Sequence, residues 1–440
     1  MAKKKQQGYL RNSTLVIIAL ASAFFPRCLE AIGFPAPINF IHFIVIPFSS
    51  LVVLLTSRNQ SQKQRTIVRQ LLTGLLIFLY IVIASAFFNE AGVINALLSY
   101  MLLAEPFFLL VEIVSLSLSP KAFKRFRNWI VGFSGFHLLL VYVQKYLLRV
   151  DTWGHLKMEP VDRIQGVFFL TGGGHVVGAS VSLTFAVYCL MAAKFMPLWL
   201  RILIASACFW NIILADAKQV LMAFMVAGII LFLLKLQDIV VLIKYLTGGA
   251  TLGYAFLWCV NNVPAFRAYN TWADPELYGP NGQATLAKTT AFRVIPLHYQ
   301  SPLNWWLGLG PGHTIGRLGG WMLHEYRALL EPLGATIHQA SFDVWAEASS
   351  FFIVSRSSLF SPLFGWAGIW GDLGFLGLAA YLWLALLVWH YLCVEDVSKF
   401  LLLTVFVFGL IFTQMEEPGY MLSVASIIGL QWQKYQQKYS

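Results

Sequence analysis

Charge is scarce in this chain. Only 12% of its 440 residues are Asp, Glu, Lys or Arg, while 58% are hydrophobic. Soluble domains carry roughly 25% charged residues, so a soluble enzyme is excluded. Cysteine is scarce too. Cys28, Cys189, Cys208, Cys259 and Cys393 lie in or near apolar segments and show neither CxxC nor metal-ligand spacing, which leaves them as small packing residues. The chain has no Walker motif, no HExxH and no paired acidic metal site, so neither a cofactor nor a metal is expected. "GLGPGHTIG" follows no βαβ pattern and is not a dinucleotide fingerprint. No repeat of fixed period and no inverted pair of broken helices stands out.

Apolar runs are abundant instead. They fall at about 14–32, 39–56, 71–88, 93–117, 129–148, 175–194, 200–215, 219–235, 239–260, 363–392, 400–414 and 419–432. Runs near 20 residues are the transmembrane signal, and in lipid only a helix satisfies its own backbone at these lengths. The expected fold class is an all-α polytopic bundle of about twelve spans. It divides into 1–260 (nine spans), a large loop region 261–360, and 361–440 (three spans). "MAKKK" followed by "TLVIIALASAFF" imitates a signal peptide and is read as an uncleaved first helix.

The formal charge of +11 would suit nucleic acid, but the basic residues cluster beside apolar spans. That is a topology signal, and nucleic acid is not an expected partner. With the N-terminus in the cytoplasm, Arg58, Lys63, Arg65 and Arg69, then Lys121, Lys124, Arg125 and Arg127, fall inside. Lys194, Lys235, Lys399 and the tail with Lys434 and Lys438 join them, while "GFPAPI", "NEAG" and "EEPG" make basic-poor outer turns. This reads as a multi-pass inner-membrane protein with both termini cytoplasmic and 261–360 periplasmic. Within the spans, Glu105 and Glu112 are seven apart and share a helix face, and Arg27 and Glu30 are three apart and can pair.

Three outer clusters carry candidate chemistry. "DRIQGVFFLTGGGHVVG" joins Arg163 and Gly166 to a triple glycine, Gly172 to Gly174, and to His175. Successive amides there can bind an anion, or the glycines can serve close helix packing. "ADAKQ" places Lys218 at the start of a span, where a cation clamps phosphate or merely snorkels. Segment 261–360 balances six basic residues (Arg267, Lys288, Arg293, Arg317, Arg327, Arg356) with six acidic ones and holds His298, His313, His324 and His338. Arginines suit phosphate oxygens, and a histidine suits general-base work or a structural role.

The layout resembles the O-antigen polymerase and O-antigen ligase superfamily of polytopic membrane glycosyltransferases. "RIQG" at Arg163 to Gly166 matches the Arg-x-x-Gly that opens a middle helix in such proteins. Ala217-Lys218 stands where they carry Ser-Arg, and "TGGGH" stands in place of an Asn-rich stretch. Arg293, then Trp305 or Trp306, then Gly308 to Gly312, matches their Arg, Trp and GxGxG; His338 matches the following His, and "GDLGFLGL" with Asp372 matches the closing acidic-x-Gly helix start. The resemblance implies a donor glycan on undecaprenyl pyrophosphate, attacked by the hydroxyl of an acceptor glycan without metal or cofactor. It assigns Arg163, Lys218 and Arg293 to the pyrophosphate and His338 to the acceptor's proton, with His324, Arg327, His313, His175 and Asp372 as secondary candidates. A polymerase for O-antigen or exopolysaccharide is the leading expectation. A ligase to lipid A core in lipopolysaccharide biosynthesis is the rival. A transporter of the lipid-linked glycan and a structural partner in export are the other classes. Expected partners are membrane lipid, flippase and chain-length regulator proteins.

Overall fold

The computed structural model describes residues 11–57, 61–154, 158–169, 173–235 and 239–439. The basic N-terminal stretch, Arg58 and Gly172 lie outside them. Among the described residues the chain is helical throughout, without strands. The first half runs α1 (Asn12–Phe24), α2 (Pro26–Ala31), α3 (His42–Thr56), α4 (Gln62–Phe88), α5 (Val93–Ser115), α6 (Pro120–Tyr142), α7 (Gly174–Met191), α8 (Leu198–Leu214), α9 (Lys218–Leu233) and α10 (Ile239–Asn262). Short helices fill the next stretch: α11 (Ala268–Trp272), α12 (Gln283–Val294), α13 (Asn304–Leu307), α14 (Leu323–Glu325), α15 (Arg327–Leu330), α16 (Gln339–Ser349) and α17 (Phe352–Arg356). Three long ones close the chain, α18 (Gly365–Tyr391), α19 (Asp396–Ile411) and α20 (Pro418–Tyr439).

Among the described residues, six helical stretches are long and apolar enough to cross a membrane: Ala36–Thr56, Gln62–Phe88, Val93–Ser115, Pro120–Leu147, Gly174–Met191 and Gly365–Tyr391. α1, α8 and α9 are shorter apolar helices. α5 is the hub, with 89% of its apolar window buried, and it packs against α3, α4 and α20. α3 and α4 instead leave Ile44, Leu55, Tyr80 and Phe87 bare, an apolar belt too broad for a water-facing surface.

Local chemistry moves several helix ends away from the hydropathy limits. α4 starts nine residues before the apolar run at 71, because Ser61 and Gln64 form a capping box: the Gln64 amide donates to Ser61 Oγ at 3.2 Å and the Ser61 amide to Gln64 Oε1 at 2.8 Å. α6 likewise starts at Pro120 behind a Ser119 cap instead of near 129. The run at 14–32 is two helices, because Pro26 lacks an amide to continue α1 and opens α2 instead. The run at 363–392 is also two pieces. Gly374 leaves helical geometry at φ 65° and ψ −165°, a region essentially open only to glycine. The bend brings Trp366 beside Tyr381, with ring centroids 5.9 Å apart.

That bend organises the Gly-rich turn. The Leu309 amide donates to the Gly371 carbonyl at 2.8 Å and the Gly310 amide to Asp372 O at 3.0 Å. The Asp372 carboxylate then accepts the Gly312 amide, the Thr314 amide and the Thr314 hydroxyl at 2.8, 2.8 and 2.6 Å. Residues 308–317 are thereby pinned into the bundle beside α18.

Candidate functional site

A cavity of about 760 Å³ opens in the bundle, within the range of small-molecule sites. Its walls come from the α1–α2 junction, α3, the 159–177 stretch, the start of α9, and residues 317–326 and 345–363. It carries two charged clusters.

The first cluster is cationic. Arg27, His42 and Arg317 line the cavity, and each is held by a carboxylate. Arg27 Nη1 donates to Glu30 Oε2 at 2.8 Å, and Asn39 Nδ2 donates to the same oxygen at 2.8 Å. His42 Nδ1 lies 2.7 Å from Glu105 Oε1. Arg317 pairs with Glu417, its backbone amide donates to Glu416 Oε2 at 2.7 Å, and its guanidinium sits 4.8 Å from the centre of the Trp321 ring. Glu30, Glu105 and Glu416 do not themselves line the cavity. Glu417, the carboxylate paired with Arg317, does line it, so Arg27 and His42 face the space with their carboxylates outside the lining while Arg317 faces it together with its partner. Burial, then the charge of neighbouring Arg27, pushes Arg317 down to about 9, which leaves it cationic at neutral pH. Two guanidiniums close enough to repel are costly unless an anion joins them.

The second cluster is mixed. Lys218 opens α9 and pairs with Asp216 two residues before it. Asp216 adopts positive φ, 49°, which turns the chain sharply ahead of the helix. His175, at the start of α7, places Nε2 3.5 Å from Asp162 Oδ1, and its Nδ1 is buried without a hydrogen-bond partner among the described residues. Burial, then the carboxylates of Asp216 and Glu159, pushes Asp162 up to about 6. A carboxyl titrating there can take a proton from a hydroxyl near neutral pH.

Of the four residues first assigned to the chemistry, Lys218 lines the cavity and Arg163, Arg293 and His338 do not. The Arg163 guanidinium donates to the Met158 carbonyl at 2.9 and 2.7 Å and to the Asp151 carbonyl at 3.0 Å, tying its loop together. Arg293 bonds Glu347 and Thr289, each at 2.5 Å, and so joins α12 to α16. His338 caps α16, its Nδ1 accepting the Ala340 amide at 3.1 Å. Its ring centroid lies 5.3 Å from that of His313 and 5.5 Å from that of His298, whose Nε2 is 3.1 Å from Asp343. Burial lowers His338 and then the charge of His298 lowers it further; burial pushes His313 down to about 4. His313 Nδ1 donates to the Leu309 carbonyl at 2.8 Å, and Nε2 takes the Thr336 hydroxyl at 2.8 Å. These imidazoles form a separate group outside the cavity lining.

Among the secondary candidates, His175 lines the cavity and Asp372 anchors the loop that delivers Arg317. His324 packs against Phe342 with ring centroids 4.9 Å apart. Arg327 is exposed and pairs with Glu331 at 2.9 Å. Sequence reasoning did not single out Arg27, His42, Glu105, Asp162 or Arg317 as site residues. One signal was available: Arg27, Glu105 and His42 are polar groups inside apolar runs, where each needs a partner or a cavity. No protein-family model matches the chain, and no curated protein matches it.

Proposed function

We propose that the chain is a membrane glycosyltransferase of the O-antigen polymerase and ligase type, acting on a glycan carried by a polyprenyl diphosphate. The observation that carries this reading is the pair of guanidiniums, Arg27 and Arg317, facing one cavity, with Glu30 outside its lining and Glu417, the partner of Arg317, in its wall. In this role they take the donor's diphosphate and stabilise the charge that grows on it as the anomeric C–O bond breaks. Lys218 supplies a third cation from the other cluster. The acceptor hydroxyl is taken at the second cluster, where Asp162 beside His175 receives its proton. The resemblance gives that proton to His338 instead; the two assignments separate on Asp162→Asn against His338→Ala.

The lipid has a place in this scheme. An apolar furrow of about 190 Å³ runs between α5, α18, α19 and α20, walled by Phe107, Trp366, Tyr381, Trp389 and Phe406. Leu363, three residues before Trp366, and Phe412, whose carbonyl accepts the Gly365 amide at 3.2 Å, line the cavity. In the full topology of this reading, the long and short apolar helices make about twelve crossings. Both termini are cytoplasmic, and the cavity with segment 261–360 faces the periplasm.

We favour polymerase over ligase, from the wording of the loop motifs. Surface glycan from cells lacking the gene tests the choice. Chains of a single repeat support a polymerase. Full-length chains left on the lipid carrier turn the assignment to a ligase. Unchanged surface glycan removes both.

A further inference from the structure

The start of α6 carries its charge on one side. Lys121, Lys124, Arg125, Asn128, Trp129 and Gly132 line a shallow recess of about 440 Å³ on the surface of the bundle. Their spacing of three and four residues places them on one face of the helix. The same face runs on through Phe136 and Leu139, both exposed. Along α6 the surface therefore passes from cations to an indole to bare apolar side chains. A phospholipid has the same order: charged headgroup, interfacial region, acyl chain. The lengths agree as well. Pro120–Leu147 is long and apolar enough to cross a membrane. Leu139 lies ten residues beyond Trp129, about 15 Å along a helix, which is half of a hydrocarbon core of about 30 Å.

Basic residues beside a span set topology wherever they point. Three features here go beyond that need. No carboxylate competes for the cations: the sequence holds no Asp or Glu between Glu112 and Asp151, and Lys121, Lys124 and Arg125 form no ion pair with a described residue. Arg125 is positioned, because its Nη2 donates to Ser13 Oγ at 3.0 Å, at the start of α1. The recess is also kept open and walled. A Cβ at Gly132 would meet nothing within 4 Å. Trp129 is 48% exposed, and Phe133 holds it edge-to-face at 5.5 Å between ring centroids.

We propose that this face of α6 is a binding site for an anionic phospholipid. Lys121, Lys124 and Arg125 take its phosphate, the guanidinium as a fork and the ammonium groups as point charges. Trp129 lies at its glycerol region, and one acyl chain follows Gly132, Phe136 and Leu139. No residue lines both this recess and the large cavity, so the lipid held here is distinct from the glycan donor. The site stands whether or not the glycosyltransferase reading holds. In the topology proposed above it faces the cytoplasmic leaflet.

The test is native mass spectrometry of the full chain in a neutral detergent with added dioleoyl phosphatidylglycerol. Wild type and variant are sprayed from one solution, so that attachment elsewhere on the surface is common to both. Lys121→Gln combined with Lys124→Gln should bind about 10- to 30-fold more weakly, the worth of two basic residues at a membrane surface. Both side chains are exposed, so the variant keeps the fold. Gly132→Leu keeps every charge and fills the recess, and it should weaken binding too. Dioleoyl phosphatidylethanolamine, with no net charge, should bind the wild type more weakly than phosphatidylglycerol does. Glycerol 3-phosphate, a headgroup without chains, should not displace the lipid at equal concentration. A lysine variant that binds phosphatidylglycerol as the wild type does, or a wild type that treats the two lipids alike, overturns the proposal. Wild-type affinity in Gly132→Leu removes the recess as the seat and overturns it as well. Displacement by glycerol 3-phosphate makes the recess a site for soluble phosphate and overturns the lipid assignment.

Discussion

Thr314 gives Asp372 both its amide, at 2.8 Å, and its hydroxyl, at 2.6 Å. This double contact fixes the Gly-rich turn against the bent helix α18, three residues before Arg317 enters the cavity. Thr314→Val keeps the shape and removes the hydroxyl from a buried carboxylate. It should cost about 1–3 kcal/mol, read as a melting temperature several degrees lower in detergent. Asp372→Asn should cost more, because its amide nitrogen would face either the Gly312 or the Thr314 amide.

Gly374 and Gly308 hold the same junction from both sides. A Cβ at Gly374 would lie 2.2 Å from the Trp306 carbonyl carbon, and one at Gly308 would lie 2.3 Å from the Asp372 carbonyl carbon. The obstacles are backbone atoms and cannot step aside. Each residue also has positive φ, 65° and 71°, a strain of about 1–3 kcal/mol for alanine before any clash. Gly374→Ala should fail to accumulate as folded protein, measured by size-exclusion after solubilisation. A normal elution profile and melting temperature would mean that the bend is not required.

Arg317 and Arg293 should rank clearly. Arg317→Ala removes a cation from the cavity wall and should lower turnover by about 100- to 1000-fold. Arg293 is part-exposed and joins two helices through Glu347, a contact worth about 0–1 kcal/mol at a surface. Arg293→Ala should therefore cost less in rate than Arg317→Ala. The reverse order in a purified turnover assay would return the diphosphate to Arg293.

Asp162 sets a pH dependence. Burial, then the carboxylates of Asp216 and Glu159, raises it from the ordinary aspartate value of 3.8 to about 6. The carboxyl acts as a base only when ionised, so the rate should rise with pH through about 6 and level off above it. For stability the sign is opposite: the folded chain holds this proton more tightly, so the contribution favours folding below about 4 and fades as pH rises to about 6. Asp162→Asn should remove the acidic limb of the pH–rate profile.

The fold class was legible because composition alone demands helices: 58% hydrophobic residues in long runs leave no other way to satisfy the backbone in lipid. Helix ends were less legible. Hydropathy does not see that Ser61 and Ser119 cap polar turns, nor that Gly374 breaks α18. Of the site, Lys218 and His175 could be read from their place at helix starts, and Asp372 from its glycine setting. Arg27 and Arg317 could not be joined, since nearly three hundred positions separate them and their meeting depends on the Asp372–Thr314 contact. Arg163, Arg293 and His338 have the residue types that anion and proton chemistry uses, but residue type does not say which way a side chain turns. Here they turn to the Met158 carbonyl, to Glu347 and to the start of α16.

The most direct measurement is turnover by the purified chain in detergent, supplied with a polyprenyl-diphosphate-linked repeat unit as donor and acceptor. The account predicts longer glycans on the lipid and release of free polyprenyl diphosphate, with Arg27→Ala and Arg317→Ala each down by about 100- to 1000-fold. Wild-type protein that forms no glycosidic bond from such a donor, or variants at both arginines that keep the wild-type rate, would contradict it.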